Sequence, residues 1–209
     1  VGVLLLASMP PGVSAVVLTD IFEGDTALSM ATSIPAYLFS PFTISILFFI
    51  LTQKQIHLDL IGLFKTLLLI NFIPLFAAQI IVKINKNIVE KTKSYYSFVS
   101  IFLISFMVYI LIALQSEKIL RNLLGTFIDV LWLYALCIIL FIVGYFSAFW
   151  KKKEAKIALA VSKTYMNNAL AAGIAVTFFS PKVALLMVLS EVPWATSLGF
   201  FKYITKYLD

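Results

Sequence analysis

Polar and helix-breaking residues that could bind a ligand lie in two interruptions of otherwise apolar segments. The first interruption contains Pro10, Pro11, Gly12 and Ser14. The prolines remove two backbone donors, and glycine tolerates unwound conformations that other residues avoid. We therefore predict two half-helices here, with free backbone carbonyls and amides that a solute or an ion could contact. A proline kink at a packing site is the alternative.

The second interruption contains Lys163, Thr164, Asn167 and Asn168. Asparagine side chains can replace backbone partners and so stabilise an unwound turn. Lys163 lies about seven residues, or roughly 10 Å at the rise of an α-helix, inside its predicted span. Its ammonium either extends back to the membrane interface or faces an internal polar site.

A few other polar residues lie within apolar stretches. Glu191 is predicted well inside the last span, where a carboxylate is costly and is therefore a functional candidate. Ser29 and Ser33 lie one helical turn apart. Such hydroxyls serve close helix packing, bond to a carbonyl of their own helix, or ligate a cation. Asp25 is predicted to cap the helix that begins after it.

Membrane-spanning helices must position these residues, because the composition leaves no other solution. The chain has 209 residues, of which 62% are hydrophobic and 12% charged, and its mean hydropathy is +1.03. Soluble domains are about 45–50% apolar and about 25% charged. The single cysteine, Cys137, excludes internal disulfides, and the single histidine, His57, is predicted in a loop. We therefore predict a polytopic membrane protein and no enzyme.

Apolar segments of roughly 20 residues are needed to cross a bilayer core of about 30 Å, and each must be helical. The predicted fold is an all-α integral membrane protein with seven spans, of which the first and sixth are broken. The approximate boundaries are 1–22, 26–51, 60–82, 95–114, 123–149, 156–179 and 182–203.

Basic residues in alternate loops predict the orientation of these spans. One side holds ten, at Lys83, Lys86, Lys91, Lys93, Lys151, Lys152, Lys153, Lys156, Lys202 and Lys206. The other side holds four, at Lys54, Lys118, Arg121 and Lys182. This bias predicts a cytoplasmic C-terminus in the cell membrane. Lysines in short runs beside a bilayer do not indicate nucleic-acid binding, since no recognition motif accompanies them.

The two broken spans lie five crossings apart and so enter the membrane from opposite sides. That pattern is typical of inverted repeats in secondary transporters, whose site lies where the broken helices meet.

The residues around both breaks resemble the bile acid:sodium symporter family. The resemblance covers 6–12, the turn Gly24-Asp25-Thr26-Ala27-Leu28-Ser29, and the second break from Met166-Asn167-Asn168-Ala169 to Phe179-Ser180-Pro181. It implies a ten-span fold of two inverted repeats, in which a core domain rocks against a panel domain. The seven spans would then be the fourth to tenth, with three spans missing before Val1. Residues 1–59 and 123–209 would belong to the core, and 60–122 to the panel.

The resemblance also implies a sodium site and its partial loss. Ser29 and Ser33 match the family's hydroxyl ligands, and Asn167 matches an amide ligand. The family's asparagine falls on Val16, and its glutamate falls on or next to Ser162 and Lys163. A lysine ammonium could replace the missing cation, which would make transport sodium-independent or proton-coupled. We expect no other cofactor.

These observations predict a secondary active transporter of an organic anion or other small solute, working by alternating access. Half-helix N-termini would attract its carboxylate. The predicted pathway residues are Pro10, Pro11, Gly12, Ser14, Lys163, Thr164, Asn167, Asn168 and Glu191. An auxin-efflux-carrier-like permease of the same superfamily and a non-transporting membrane sensor or structural module are the alternatives. The lipid bilayer and the solute are the expected partners, and no pattern indicates an oligomeric state.

Overall fold

The computed structural model describes residues 1–52, 59–84 and 86–208, which form ten α-helices and no β-strand. His57 and Lys54 lie outside these residues. The helices are α1 Gly2–Ser8, α2 Ala15–Ile21, α3 Thr26–Thr52, α4 Leu60–Ile84, α5 Lys86–Arg121, α6 Leu123–Phe146, α7 Lys153–Thr164, α8 Asn168–Phe178, α9 Pro181–Leu189 and α10 Glu191–Thr205.

Both predicted breaks are present. The first lies between α1 and α2, where Met9 has the extended backbone (φ −67°, ψ 146°) that a following proline favours. The second lies between α7 and α8, where the Asn167 Oδ1 accepts a hydrogen bond of 3.0 Å from the Leu170 amide. Asn167 therefore begins α8 as its N-cap, because the first amides of a helix have no partner within it.

Several helices are long and apolar enough to cross a membrane. Within the described residues these segments are Thr26–Leu51, Leu60–Ile84, Leu123–Phe146 and Pro181–Thr205. They support a multi-pass membrane protein built from helices. The two broken spans and the span in α5 are not among these four, so the count of seven stays a prediction.

One predicted boundary is wrong. The stretch 83–94, predicted as a loop, is largely helical, since α4 continues to Ile84 and α5 begins at Lys86. That stretch contains no proline or glycine, and lysine and glutamate are good helix formers. The last span, predicted over 182–203, lies within the apolar segment Pro181–Thr205, in which α9 ends at Leu189 and α10 begins at Glu191. Pro193 has no N–H for the Leu189 carbonyl, which favours this interruption.

The core forms around the broken helices. Leu5 of α1, Ile174 of α8 and Met187 of α9 are fully buried in one cluster. A second cluster surrounds Tyr165 at the end of α7. Helix α7 packs very closely on α6, where a Cβ on Gly144 would lie 2.7 Å from the Cα of Ala160. The core therefore packs against both breaks.

Helix α3 begins at the turn that follows α2. The Asp25 Oδ1 accepts a hydrogen bond of 2.9 Å from the Leu28 amide, which confirms Asp25 as the cap of α3. The Asp25 amide itself donates to the Glu154 carbonyl at 2.9 Å. The turn therefore ties the first broken helix to the start of α7.

Candidate functional site

The two unwound segments cross and hydrogen-bond to each other. The Gly12 amide donates to the Tyr165 carbonyl at 2.7 Å, and the Asn167 amide donates to the Pro10 carbonyl at 2.9 Å. These bonds flank an antiparallel bridge between Pro11 and Met166. The expectation of free backbone groups is wrong for Pro10 and Gly12, because each break supplies the other's partners. We call this pair of bonded segments the crossing.

Gly12 is required by the closeness of the two backbones. A Cβ at this position would lie 3.1 Å from the Tyr165 carbonyl oxygen and 3.2 Å from that of Met166. Both neighbours are backbone atoms of the other break, so they cannot turn away as a flexible side chain can. Any larger residue at position 12 would push the segments apart.

Lys163 joins the two broken helices with its side chain. Its Nζ donates a hydrogen bond of 2.9 Å to the Ala7 carbonyl in the last turn of α1. Carbonyls at a helix C-terminus lack helical partners and carry partial negative charge, which favours a cation there. The lysine therefore contacts the end of α1. Among the described residues it makes no ion pair, and Glu191 is not its partner.

A buried hydroxyl cluster, formed by Thr19, Ser29 and Ser162, links three helices. The Ser29 Oγ lies 3.1 Å from the Thr19 Oγ1 and 3.3 Å from the Ser162 Oγ. Thr19 also donates to the Ala15 carbonyl at 2.7 Å. Ser33, one turn along α3, is buried, and its Oγ has no hydrogen-bond partner in the described part of the chain.

Thr19 and Tyr37 are site residues that the sequence analysis missed. The Tyr37 hydroxyl accepts a hydrogen bond of 2.9 Å from the Asn167 Nδ2, so it contacts the crossing from α3. Thr19 belongs to the hydroxyl cluster. Each is a polar side chain inside an apolar helix, and that was the only local signal, since their partners are far away in sequence.

The other predicted pathway residues take no part in the hydrogen bonds between the two breaks. Ser14 occupies the N-cap position of α2 but makes no side-chain capping bond. The Thr164 hydroxyl donates to the Ala160 carbonyl of its own helix at 2.7 Å. Asn168 is buried at the start of α8. Glu191 is half-buried where α9 meets α10, and it makes no hydrogen bond or ion pair with the described residues.

A cavity of about 500 Å³ lies beside the crossing. Its lining includes Pro10, Pro11 and Lys163, together with six serine and threonine residues from α1, α3, α7 and the end of α6. Lys163 is the only charged residue among the described residues that line it. This cavity therefore offers one positive charge and several hydroxyls to a solute.

Two of the three residues that the resemblance assigns to sodium already use their side-chain oxygens in hydrogen bonds within the protein. The Asn167 Oδ1 is engaged by the Leu170 amide, and the Ser29 hydroxyl is engaged in the hydroxyl cluster. Only Ser33 has a hydroxyl without a partner among the described residues.

Two broken helices that cross within a set of apolar helices are typical of secondary transporters. The chain belongs to the SBF-like CPA transporter family, whose model matches residues 1–192. This match confirms the resemblance to bile acid:sodium symporters, and a transporter family agrees with the expectation of no enzymatic activity. No curated protein matches the chain.

Proposed function

We propose that this protein is a secondary active transporter of a small organic anion, working by alternating access with its substrate beside the crossing. The single observation that carries the proposal is the pairing of the two breaks by the Gly12–Tyr165 and Asn167–Pro10 hydrogen bonds. Non-helical backbone at membrane depth is stable only where protein or a water-filled cavity covers it. In transporters such segments bind the solute.

The charges near the crossing support an anion as substrate. The cavity beside it has Lys163 as its only charged lining residue among those described. The N-terminal end of α8, which adds partial positive charge, begins at the crossing. A carboxylate would therefore gain favourable interactions there that a cationic solute would lack.

We further propose that Lys163 takes the place of a coupling sodium ion, so that transport is sodium-independent. Half-helix C-termini are the usual cation sites of such transporters, and the Lys163 ammonium is bonded to the end of α1. The hydrogen bonds that already engage the Ser29 hydroxyl and the Asn167 Oδ1 support the same proposal. The lysine-rich segments between the predicted spans favour a cytoplasmic C-terminus in the cell membrane.

Uptake into proteoliposomes tests the proposed transport. We expect the wild-type protein to take up at least one member of a panel of radiolabelled mono- and dicarboxylates. Replacing Pro10, Pro11 and Gly12 together with alanine should reduce uptake to background, because the first span could then form a continuous helix. Pro74→Ala, which changes a proline inside continuous α4, is the matched control and should retain uptake.

Two results would contradict the proposal. One is the absence of uptake of every carboxylate by correctly inserted wild-type protein. The other is unchanged uptake by the triple variant, which would mean that the broken backbone has no part in transport.

A further inference from the structure

Asn71 lies near the middle of α4, a helix whose other central side chains are apolar. A polar side chain at this depth is costly unless it is bonded, and it usually has a specific partner. The Asn71 Nδ2 donates hydrogen bonds of 3.0 Å to the Tyr37 carbonyl and 2.7 Å to the Ser40 Oγ. Both acceptors belong to α3.

Pro41 explains why the Tyr37 carbonyl needs this donor. A proline has no N–H, so the carbonyl four residues before it loses its helical partner. Here that carbonyl is the one of Tyr37, within the continuous helix α3. The Ser40 hydroxyl donates to it at 2.9 Å, and Asn71 supplies the second donor from α4. The opened turn of α3 is thus closed by a neighbouring helix.

Tyr37 carries this connection to the crossing. Its hydroxyl accepts from the Asn167 Nδ2 at 2.9 Å. The remaining polar groups of Asn167 are also engaged, since its amide donates to Pro10 and its Oδ1 accepts from Leu170. A displaced Tyr37 would leave the Asn167 side-chain amide without its acceptor at the point where the two breaks meet.

We infer that Asn71 is a positioning residue for the crossing: it holds the proline-opened turn of α3, from which Tyr37 orients Asn167. The inference deepens the proposed function, since the crossing is the proposed site of transport. Movement of α4 relative to α3 would then change the hydrogen bonds at the crossing, because Asn71 contacts Tyr37 and Tyr37 contacts Asn167. Asn71 itself does not line the cavity beside the crossing.

Amide hydrogen exchange at the crossing tests the positioning without any substrate. In Asn71→Leu we expect the Asn167 and Leu170 amides to exchange about tenfold faster. Both amides form hydrogen bonds that depend on the position of Asn167, and Asn167 is held by the Tyr37 hydroxyl. Tyr37→Phe keeps the carbonyl bonded to Asn71 but removes the acceptor of Asn167, so it should reproduce this increase. Ser45→Ala removes a hydroxyl of α3 that has no hydrogen-bond partner among the described residues and does not line the cavity, and it is the control.

A double variant separates positioning from simple packing. In Asn71→Leu with Pro41→Ala, the alanine N–H can bond the Tyr37 carbonyl again. We expect slow exchange at Asn167 and Leu170 to return in this double variant. Carboxylate uptake should fall about tenfold in Asn71→Leu and recover in the double variant to at least half of the wild-type rate. A role limited to packing between α3 and α4 would give no such rescue.

Unchanged exchange at Asn167 and Leu170 in both Asn71→Leu and Tyr37→Phe would overturn the inference. So would fast exchange that Pro41→Ala fails to restore. If the wild-type protein transports no carboxylate but the exchange results are as expected, the proposed substrate fails while the positioning role of Asn71 stands.

Discussion

Gly12 illustrates how a single residue determines whether the two breaks can meet. Its Cα lies against two carbonyls of the other break, and a Cβ would approach them to 3.1 and 3.2 Å. The same position donates the 2.7 Å hydrogen bond to Tyr165. Close approach and pairing therefore depend on the absence of a side chain.

We predict that Gly12→Val lowers both the thermal stability and the carboxylate uptake of the protein. Overpacking of a dense site costs about 1–3 kcal/mol, which would lower the melting temperature by several degrees. Gly173→Ala is the matched control, because a Cβ there has no atom within 4 Å and alanine favours the helix. A Gly12→Val protein with the wild-type melting temperature and uptake would contradict the close pairing of the breaks.

At the scale of helices, the hydroxyl cluster connects α2, α3 and α7 through Thr19, Ser29 and Ser162. Ser29 is hydrogen-bonded to both other members, so removing its hydroxyl leaves the buried hydroxyls of Thr19 and Ser162 with fewer partners. Ser33 has no such bond among the described residues, although it lies on the same helix and is also buried. The two serines therefore form a matched pair of substitution sites.

We predict that Ser29→Ala destabilises the protein by about 1–2 kcal/mol, because it breaks hydrogen bonds inside the core. Ser33→Ala should change stability by less than about 0.5 kcal/mol or increase it slightly. Thermal unfolding of both variants in detergent would measure the difference. Equal loss of stability in the two variants would count against the hydroxyl cluster.

The helices also indicate how far local sequence determines this structure. Both breaks and the Asp25 cap were predictable, because the effects of proline, glycine, asparagine and aspartate act within a few residues. The partners across the breaks were not predictable, since Lys163 bonds to Ala7 and Asn167 bonds to Tyr37 over long stretches of chain. The span boundaries near 83–94 failed because charged residues without proline can continue a helix.

At the scale of the whole molecule, a core surrounds two broken helices, and the Lys163 ammonium lies at the end of one of them. Membership in a transporter family supports movement of a solute. The proposed replacement of a bound sodium ion by Lys163 would distinguish this chain from a sodium symporter with the same helices.

The most direct measurement is carboxylate uptake by wild-type proteoliposomes across a sodium series at fixed pH and membrane potential. We predict a rate that does not change with sodium, because the Lys163 ammonium already occupies the end of α1. Lys163→Ala should abolish uptake or make it newly dependent on an added cation. A wild-type rate that rises saturably with sodium, and that survives Lys163→Ala, would contradict the account.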